Sequence, residues 1–366
     1  MKVLVVFGTR PEAIKMCPVI KKLKEKPEIE CRICLTGQHE EMLNQVLEVF
    51  GVKGDYNLHV MTEHQTLAGV SAKIMMGLQE IYETEKPDVV LVHGDTTSSY
   101  IAAVCAFYQH IPIGHVEAGL RTYQLQSPFP EEFNRQSIDL ISDIYFAPTK
   151  LAKQQLLKEG KKIEHIYVTG NTAIDALKDT IRDEYYSQDL EWCSDSRLLL
   201  LTAHRRENIG EPMYHMFSAV KEIVKSNPDV KVIYPIHKNP KVREIAENVF
   251  ADCDRIRMIE PLDVLDFHNY MKQSYLILTD SGGIQEEAPS LGIPVLVMRD
   301  TTERPEGVEA GTLSLVGTEK ESVKQKVELL LQDKAVYEKM SHARNPYGDG
   351  HASERIVEIL LKEFGG

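Results

Sequence analysis

Short apolar runs alternate with longer amphipathic stretches along the chain, starting at once with Lys2-Val-Leu-Val-Val-Phe7. Runs of this length, rich in branched residues and lacking polar alternation, predict strands buried on both faces, as in parallel sheets covered by helices. Strands are expected near 2–7, 30–36, 88–94, 112–116, 143–147 and 165–169, with helices over 11–25, 38–50, 66–84, 97–109, 131–141 and 150–159. Thr169-Gly170-Asn171 then leads into a helix from Thr172 and a charged, irregular stretch from Arg182 to Arg197. The strand pattern restarts at Leu198-Leu-Leu-Leu-Thr202 and returns at 230–236, 255–259, 275–279, 294–298 and 313–316.

Such a restart predicts an α/β protein of two Rossmann-like domains, 1–170 and 171–350. Residues 351–366 form a C-terminal helical segment able to pack back on the first domain. In folds of this kind the ligand sits outside the carboxyl ends of the strands, here in the crevice between domains. The apolar run Ile74-Met75-Met76 falls within a predicted helix and reads as core.

Composition narrows the function classes. The chain has 366 residues, enough for two cores, with 43% hydrophobic and 27% charged residues. A net charge of -13 argues against a nucleic-acid or acidic-membrane surface while leaving room for a local basic cleft. The first strand replaces any secretory leader, and the apolar runs are too short to span a bilayer, so a cytoplasmic enzyme is expected. Of six cysteines only Cys31-Arg-Ile-Cys34 has a C-x-x-C spacing, and in a strand residues three apart point to opposite faces. Reduced structural thiols, with no metal or redox cofactor, are the reading here.

Three carboxylates stand in strongly punctuated stretches. Asp95 lies in Val-His-Gly-Asp-Thr-Thr, Glu117 in His-Val-Glu-Ala-Gly-Leu-Arg, and Glu131 in Phe-Pro-Glu-Glu-Phe-Asn-Arg. Asp95 and Glu117 each follow a strand-length run, where α/β enzymes place working residues. Acids converging on one cleft can hold different protonation states and divide proton removal and return between them. The flanking His93 and His115 can equally be hydrogen-bonded structural residues.

Other segments suit an anion. Gly8-Thr-Arg10-Pro11-Glu follows the first strand, with Arg10 placed for a bidentate contact, although an ordinary strand-to-helix turn reads the same way. Thr279-Asp-Ser281-Gly282-Gly283 leaves a strand and opens a helix, an arrangement that seats phosphate oxygens unless Ser281 is simply the N-cap. His204-Arg205-Arg206 leaves the first strand of the second domain, and His237 follows the next. Neither G-x-G-x-x-G nor a Walker sequence occurs, which argues against a tightly held nicotinamide or a P-loop.

Together these segments resemble the non-hydrolysing UDP-N-acetylglucosamine 2-epimerases, from Gly8-Thr-Arg-Pro-Glu12 through Thr36-Gly-Gln-His39, His93-Gly-Asp-Thr96, His115 to Arg121 and Pro130 to Arg135. The similarity continues in His204-Arg-Arg-Glu-Asn208, Asp280 to Glu287 and Arg299 to Pro305. The resemblance implies a GT-B fold, two Rossmann-like domains facing each other across a cleft, and no cofactor. It implies reversible interconversion of UDP-GlcNAc and UDP-ManNAc by elimination of UDP to 2-acetamidoglucal and re-addition, supplying surface-polysaccharide synthesis. By the same resemblance Asp95, Glu117 and Glu131 are the catalytic carboxylates and His204 lies near the diphosphate. Arg10, Arg135, His237, Ser281, Gly282, Gly283 and Glu287 match nucleotide-sugar contacts; Phe267 matches a uracil contact, with a plain core phenylalanine as its alternative.

A homodimer and a second UDP-GlcNAc acting as activator are further implications. Gln38, His39 and Gln65 match the activator region, whereas Glu41 and His64 depart from the Gln and Arg of some regulated members. Two other functions share part of the pattern. A UDP-sugar glycosyltransferase would need an acceptor pocket and usually a single base, and a non-catalytic UDP-sugar regulator would not need three carboxylates.

Overall fold

The computed structural model describes residues 1–37, 40–61 and 66–365. Gln38, His39, His64 and Gln65, matched above to an activator region, lie outside the described residues, as does the side chain of Glu41. The chain divides into two units, one of Met1–Asp179 with Tyr347–Gly366, the other of Thr180–Pro346.

Among the described residues the first unit holds a seven-stranded, all-parallel sheet. Its strands are β1 (Lys2–Phe7), β2 (Glu30–Leu35), β3 (Tyr56–Asn57), β4 (Val89–His93), β5 (Ile113–Val116), β6 (Ile144–Ala147) and β7 (Ile166–Val168). They lie in the order β3-β2-β1-β4-β5-β6-β7, so the chain reverses direction of winding between β1 and β4. That is the switch point where such sheets open a crevice beyond their carboxyl ends. Val3 to Phe7 and Val89 to Val92 are fully buried, as continuous apolar runs require when helices cover both faces.

The second unit repeats the plan with β8 (Arg197–Thr202), β9 (Val230–Pro235), β10 (Ile256–Ile259), β11 (Leu276–Thr279), β12 (Val295–Val297) and β13 (Leu313–Leu315). Their order, β10-β9-β8-β11-β12-β13, sets the switch point between β8 and β11. One core there gathers Leu199, Leu201, Phe217, Tyr234, Phe250, Leu276 and Leu278, with Phe217 and Tyr234 meeting edge to face at 5.5 Å.

The predicted strands all form, each within a residue or two of its expected end. Among the elements that escaped the pattern are two short ones. The two-residue β3 is too short for a period, and Gln188–Trp192 makes a helical turn in the stretch read as irregular, its start capped by Ser187, whose Oγ accepts from Leu190 N at 3.1 Å. Ile74 is core as read, but Met76 is 75% exposed, because the helix turns it away from the sheet. The final helix, Ala352–Phe364, packs against Arg10–Lys24 of the first unit. No described helix is long and apolar enough to cross a membrane.

Candidate active site

The first group of site residues is built on the turns after β1, β4 and β5. Thr9 caps the helix Arg10–Lys24 in a capping box with Glu12, and Pro11 fits its first turn. Glu12 is 2% exposed, and its two oxygens face different turns. Oε2 accepts from Gly8 N, Thr9 N and Thr9 Oγ1 at 3.0, 2.8 and 2.8 Å; Oε1 accepts from Thr96 Oγ1 and Ser99 Oγ at 2.6 and 2.8 Å. One buried carboxylate thus ties the β1 turn to the turn carrying Asp95. Gly8 has to be glycine, because a Cβ there would lie 1.8 Å from Thr36 Oγ1.

Asp95 follows β4 and accepts a hydrogen bond from the Arg135 guanidinium. Burial raises its pKa, an effect that Arg135 opposes and nearby Glu117 reinforces. Its own carbonyl accepts from Asn134 Nδ2 at 2.8 Å. Arg135 and Asn134 both come from the helix Glu131–Ile141, which brings the third carboxylate motif to the first.

Glu117 follows β5 with a backbone φ of +66°, a left-handed conformation costing a non-glycine residue about 1–2 kcal/mol. Its amide and that of Ala118 donate to the Phe146 carbonyl at 3.1 and 3.2 Å, holding the turn. Oε2 accepts from the Lys15 ammonium and, at 3.0 Å, from Asn171 Nδ2. Burial alone would raise this carboxyl, but Lys15 and then His93 outweigh it and hold the pKa well below the usual carboxylate range. His93 Nε2 lies 3.7 Å away, and neither ring nitrogen of this buried histidine has a hydrogen-bond partner among the described residues.

Glu131 is half-buried at the first residue of its helix, and among the described residues its carboxylate has no ion pair. Its neighbour Glu132 is fully buried instead, accepting from Thr122 N at 3.0 Å and Tyr123 N at 2.8 Å. Glu132 therefore holds the loop before the helix, whereas Glu131 is only half-buried. Arg10 is exposed at the start of the first helix.

The second group lies on the turns after β8 and β11. Thr202 and Thr279 end these neighbouring strands, joined by their hydroxyls at 2.6 Å. Asp280 is fully buried and accepts from His204 N, Arg205 N and Asn208 Nδ2, so it shapes the His204-Arg-Arg turn. His204 Nδ1 is 3.3 Å from Asp280 Oδ1, and its ring stacks on that of His237 at 5.7 Å. Desolvation lowers the His204 pKa against the pull of Asp280, and His237 adds to the lowering. The His204 side chain remains 41% exposed.

Ser281 occupies the N-cap position of Gly282–Glu287 but makes no side-chain cap bond, so the simple capping role does not account for its hydroxyl. A Cβ at Gly282 would come within 2.6 Å of the Arg304 guanidinium, so glycine there lets a cation lie against the turn. Arg304 is oriented by Glu286, its Nε donating to Oε1 at 2.8 Å. Glu287 is mostly buried, 3.6 Å from Nε2 of His268, whose Nδ1 meets Thr180 Oγ1 at 2.7 Å. Phe267 is half-buried on the helix Val264–Lys272.

The structure adds Lys15, Asn171 and Arg304 to the residues read from the sequence. Lys15 sits one turn after Glu12 on the same helix, a spacing that could have flagged it. Asn171, in Thr-Gly-Asn after β7, occupies the strand-end position that flagged Asp95. The cysteines lie apart from both groups, and burial pushes the thiols of Cys17, Cys31 and Cys34 up to about 12. All six are free thiols.

Comparison with known proteins gives this arrangement a family. A family model described as UDP-N-acetylglucosamine 2-epimerase matches residues 21–361. A UDP-N-acetylglucosamine 2-epimerase of Bacillus subtilis (strain 168) is 57% identical over 365 residues, covering 100% of this chain and 96% of the relative. The crystal structure of a putative UDP-N-acetylglucosamine 2-epimerase from Listeria monocytogenes superposes with a TM-score of 0.95 at 53% identity, covering 100% and 96%. That of the UDP-GlcNAc 2-epimerase from Neisseria meningitidis, bound to UDP-GlcNAc, does so with a TM-score of 0.90 at 47% identity, covering 99% and 100%. A kitacinnamycin glycotransferase, 12% identical with a TM-score of 0.66, shares the fold alone. Matched over its whole length in sequence and in its GT-B-like fold, the chain belongs to the UDP-N-acetylglucosamine 2-epimerase family.

Proposed function

We propose that this enzyme interconverts UDP-GlcNAc and UDP-ManNAc by eliminating UDP and adding it back, supplying surface-polysaccharide synthesis. The observation that carries the reading is the contrast between Asp95 and Glu117. Burial displaces one carboxyl upward, while Lys15 and His93 hold its neighbour down. Neighbouring carboxyls whose pKa values are displaced in opposite directions suit a division of proton-donating and proton-accepting roles.

In the forward step C2–H and C1–O bonds break, the proton passes to a carboxylate, and UDP leaves with the bonding pair of C1–O. The product is 2-acetamidoglucal. Return of UDP to C1 with protonation of C2 from the opposite face gives the epimer. Glu117 suits the accepting role, and Asp95 the donating role, in one direction, and the roles exchange in reverse. Glu131 is the third acid of the set. On the second unit His204, His237, the Ser281-Gly282-Gly283 turn and Arg304 supply donors and charge for the departing diphosphate, with Glu287 suited to ribose hydroxyls. Arg10 and Arg135 add cations on the first unit.

Incubation of UDP-GlcNAc with the enzyme in deuterated water tests this. UDP-ManNAc should form with deuterium at C2 of the sugar. Release of free ManNAc, transfer to an added acceptor, or no change would reject it.

A further inference from the structure

His115 is fully buried on β5, and both of its ring nitrogens face acceptors. Nδ1 is 2.6 Å from Asp139 Oδ1, and Nε2 is 2.7 Å from the carbonyl oxygen of Gly94. A neutral imidazole has one N–H and one lone pair. In either tautomer, one of these contacts would press two lone pairs together at hydrogen-bond distance, without water to relieve them. A ring carrying both protons satisfies both contacts.

The surrounding charges agree with that count. Asp139 Oδ2 accepts from Arg121 at 2.7 Å and Gly119 N at 3.1 Å, which leaves it an acceptor on every side. Arg121 also forks onto Glu159 with two contacts of 2.7 Å. Asp139 thus sits between the Arg121 guanidinium and the His115 ring as an acceptor to both.

What the ring holds is the turn of the working carboxylate. Gly94 has φ +61°, and its amide donates to the Val116 carbonyl at 2.9 Å. With His115 on the Gly94 carbonyl and Asn134 on the Asp95 carbonyl, the peptide planes on both sides of Asp95 are pinned. His115 lies two residues before Glu117, so the same ring ties the two carboxylate turns to each other.

We propose that His115 is held as an imidazolium by Asp139 and acts as a positioning residue that fixes the Gly94–Asp95 peptide relative to Glu117. This rests on the reading of Asp95 and Glu117 as the proton-transferring pair. Misplacement of such a group by about 1 Å is enough to cost about 100-fold in rate.

Nitrogen-15 NMR of the full-length, histidine-labelled protein tests it, with the His115 signals identified by their loss in His115→Gln. In the folded enzyme both ring nitrogens should carry protons. A neutral ring in the unmodified enzyme overturns the proposal, whether or not any variant folds. Asp139→Asn and His115→Gln should each lower kcat about 100-fold with KM and UDP affinity within about twofold. Unchanged kcat in a folded variant overturns the positioning role. If the unmodified enzyme fails to exchange deuterium into C2, the functional reading is lost while the ring protonation stands or falls on its own.

Discussion

The ammonium of Lys15 and the carboxylate of Glu117, 102 positions apart in the chain, meet as a mostly buried ion pair. Lys15 is the largest influence opposing burial at that carboxyl, so it controls the pH range in which Glu117 is ionised.

Lys15→Met should therefore move the acidic limb of kcat/KM to higher pH. In the unmodified enzyme Glu117 is depressed, so its ionised form persists across the neutral range and is lost only as pH falls through the lowered pKa. Without the ammonium, burial dominates and protonation begins earlier. The rate at neutral pH should fall about 100-fold or more. A pH–rate profile is the check, and an unmoved limb would count against Lys15 as the controlling charge.

Asp95 behaves oppositely. Its pKa is raised in the fold, so the native state binds the proton more tightly than the unfolded chain. Stability should fall as pH climbs from the ordinary carboxylate value through the raised one. Asp95→Asn removes that dependence, keeps the shape, and should leave thermal stability at neutral pH equal or higher while abolishing C2 exchange. Melting curves at several pH values, paired with the deuterium assay, separate these two effects.

Glu12→Gln replaces an acceptor of five hydrogen bonds with a group half of which donates. Whichever oxygen becomes the NH2, at least two donors lose an acceptor in a buried place, Gly8 N and Thr9 on one side or Thr96 Oγ1 and Ser99 Oγ on the other. The expected loss is about 2–4 kcal/mol, read from urea unfolding of the first unit. A loss below 0.5 kcal/mol, about the noise of a surface substitution, would show the tie between turns to be dispensable.

Asp280→Asn should act on nucleotide binding rather than on proton transfer. Its carboxylate shapes the His204-Arg205 turn through two backbone amides. UDP affinity by calorimetry should weaken about 10- to 100-fold, since buried charge-assisted bonds are each worth about 1.5–3 kcal/mol. Retained UDP affinity would remove Asp280 from the nucleotide site.

The strands and the carboxylates that follow them were legible because burial on both faces writes itself as uninterrupted apolar runs, and the candidate residues come directly after. The partners were less so. Lys15 lies on a helix face, and Asn171 reaches Glu117 across 54 positions, distances that no local period encodes. His93 and His115 looked alike from sequence, each one strand-end histidine beside a carboxylate. Only packing separates them, since His115 is bonded at both nitrogens and His93 at neither among the described residues. That Glu132 rather than Glu131 holds the loop likewise depends on where that loop turns.

The left-handed backbone at Glu117 sets fold and chemistry at odds over one residue. The chain geometry there favours glycine or asparagine, whereas the proposed reaction wants a carboxylate. Selection for robustness alone would erode this acid, and selection for turnover would restore it. A lineage released from the activity should therefore lose Glu117 early, and its replacement would mark the point at which the enzyme became only a scaffold.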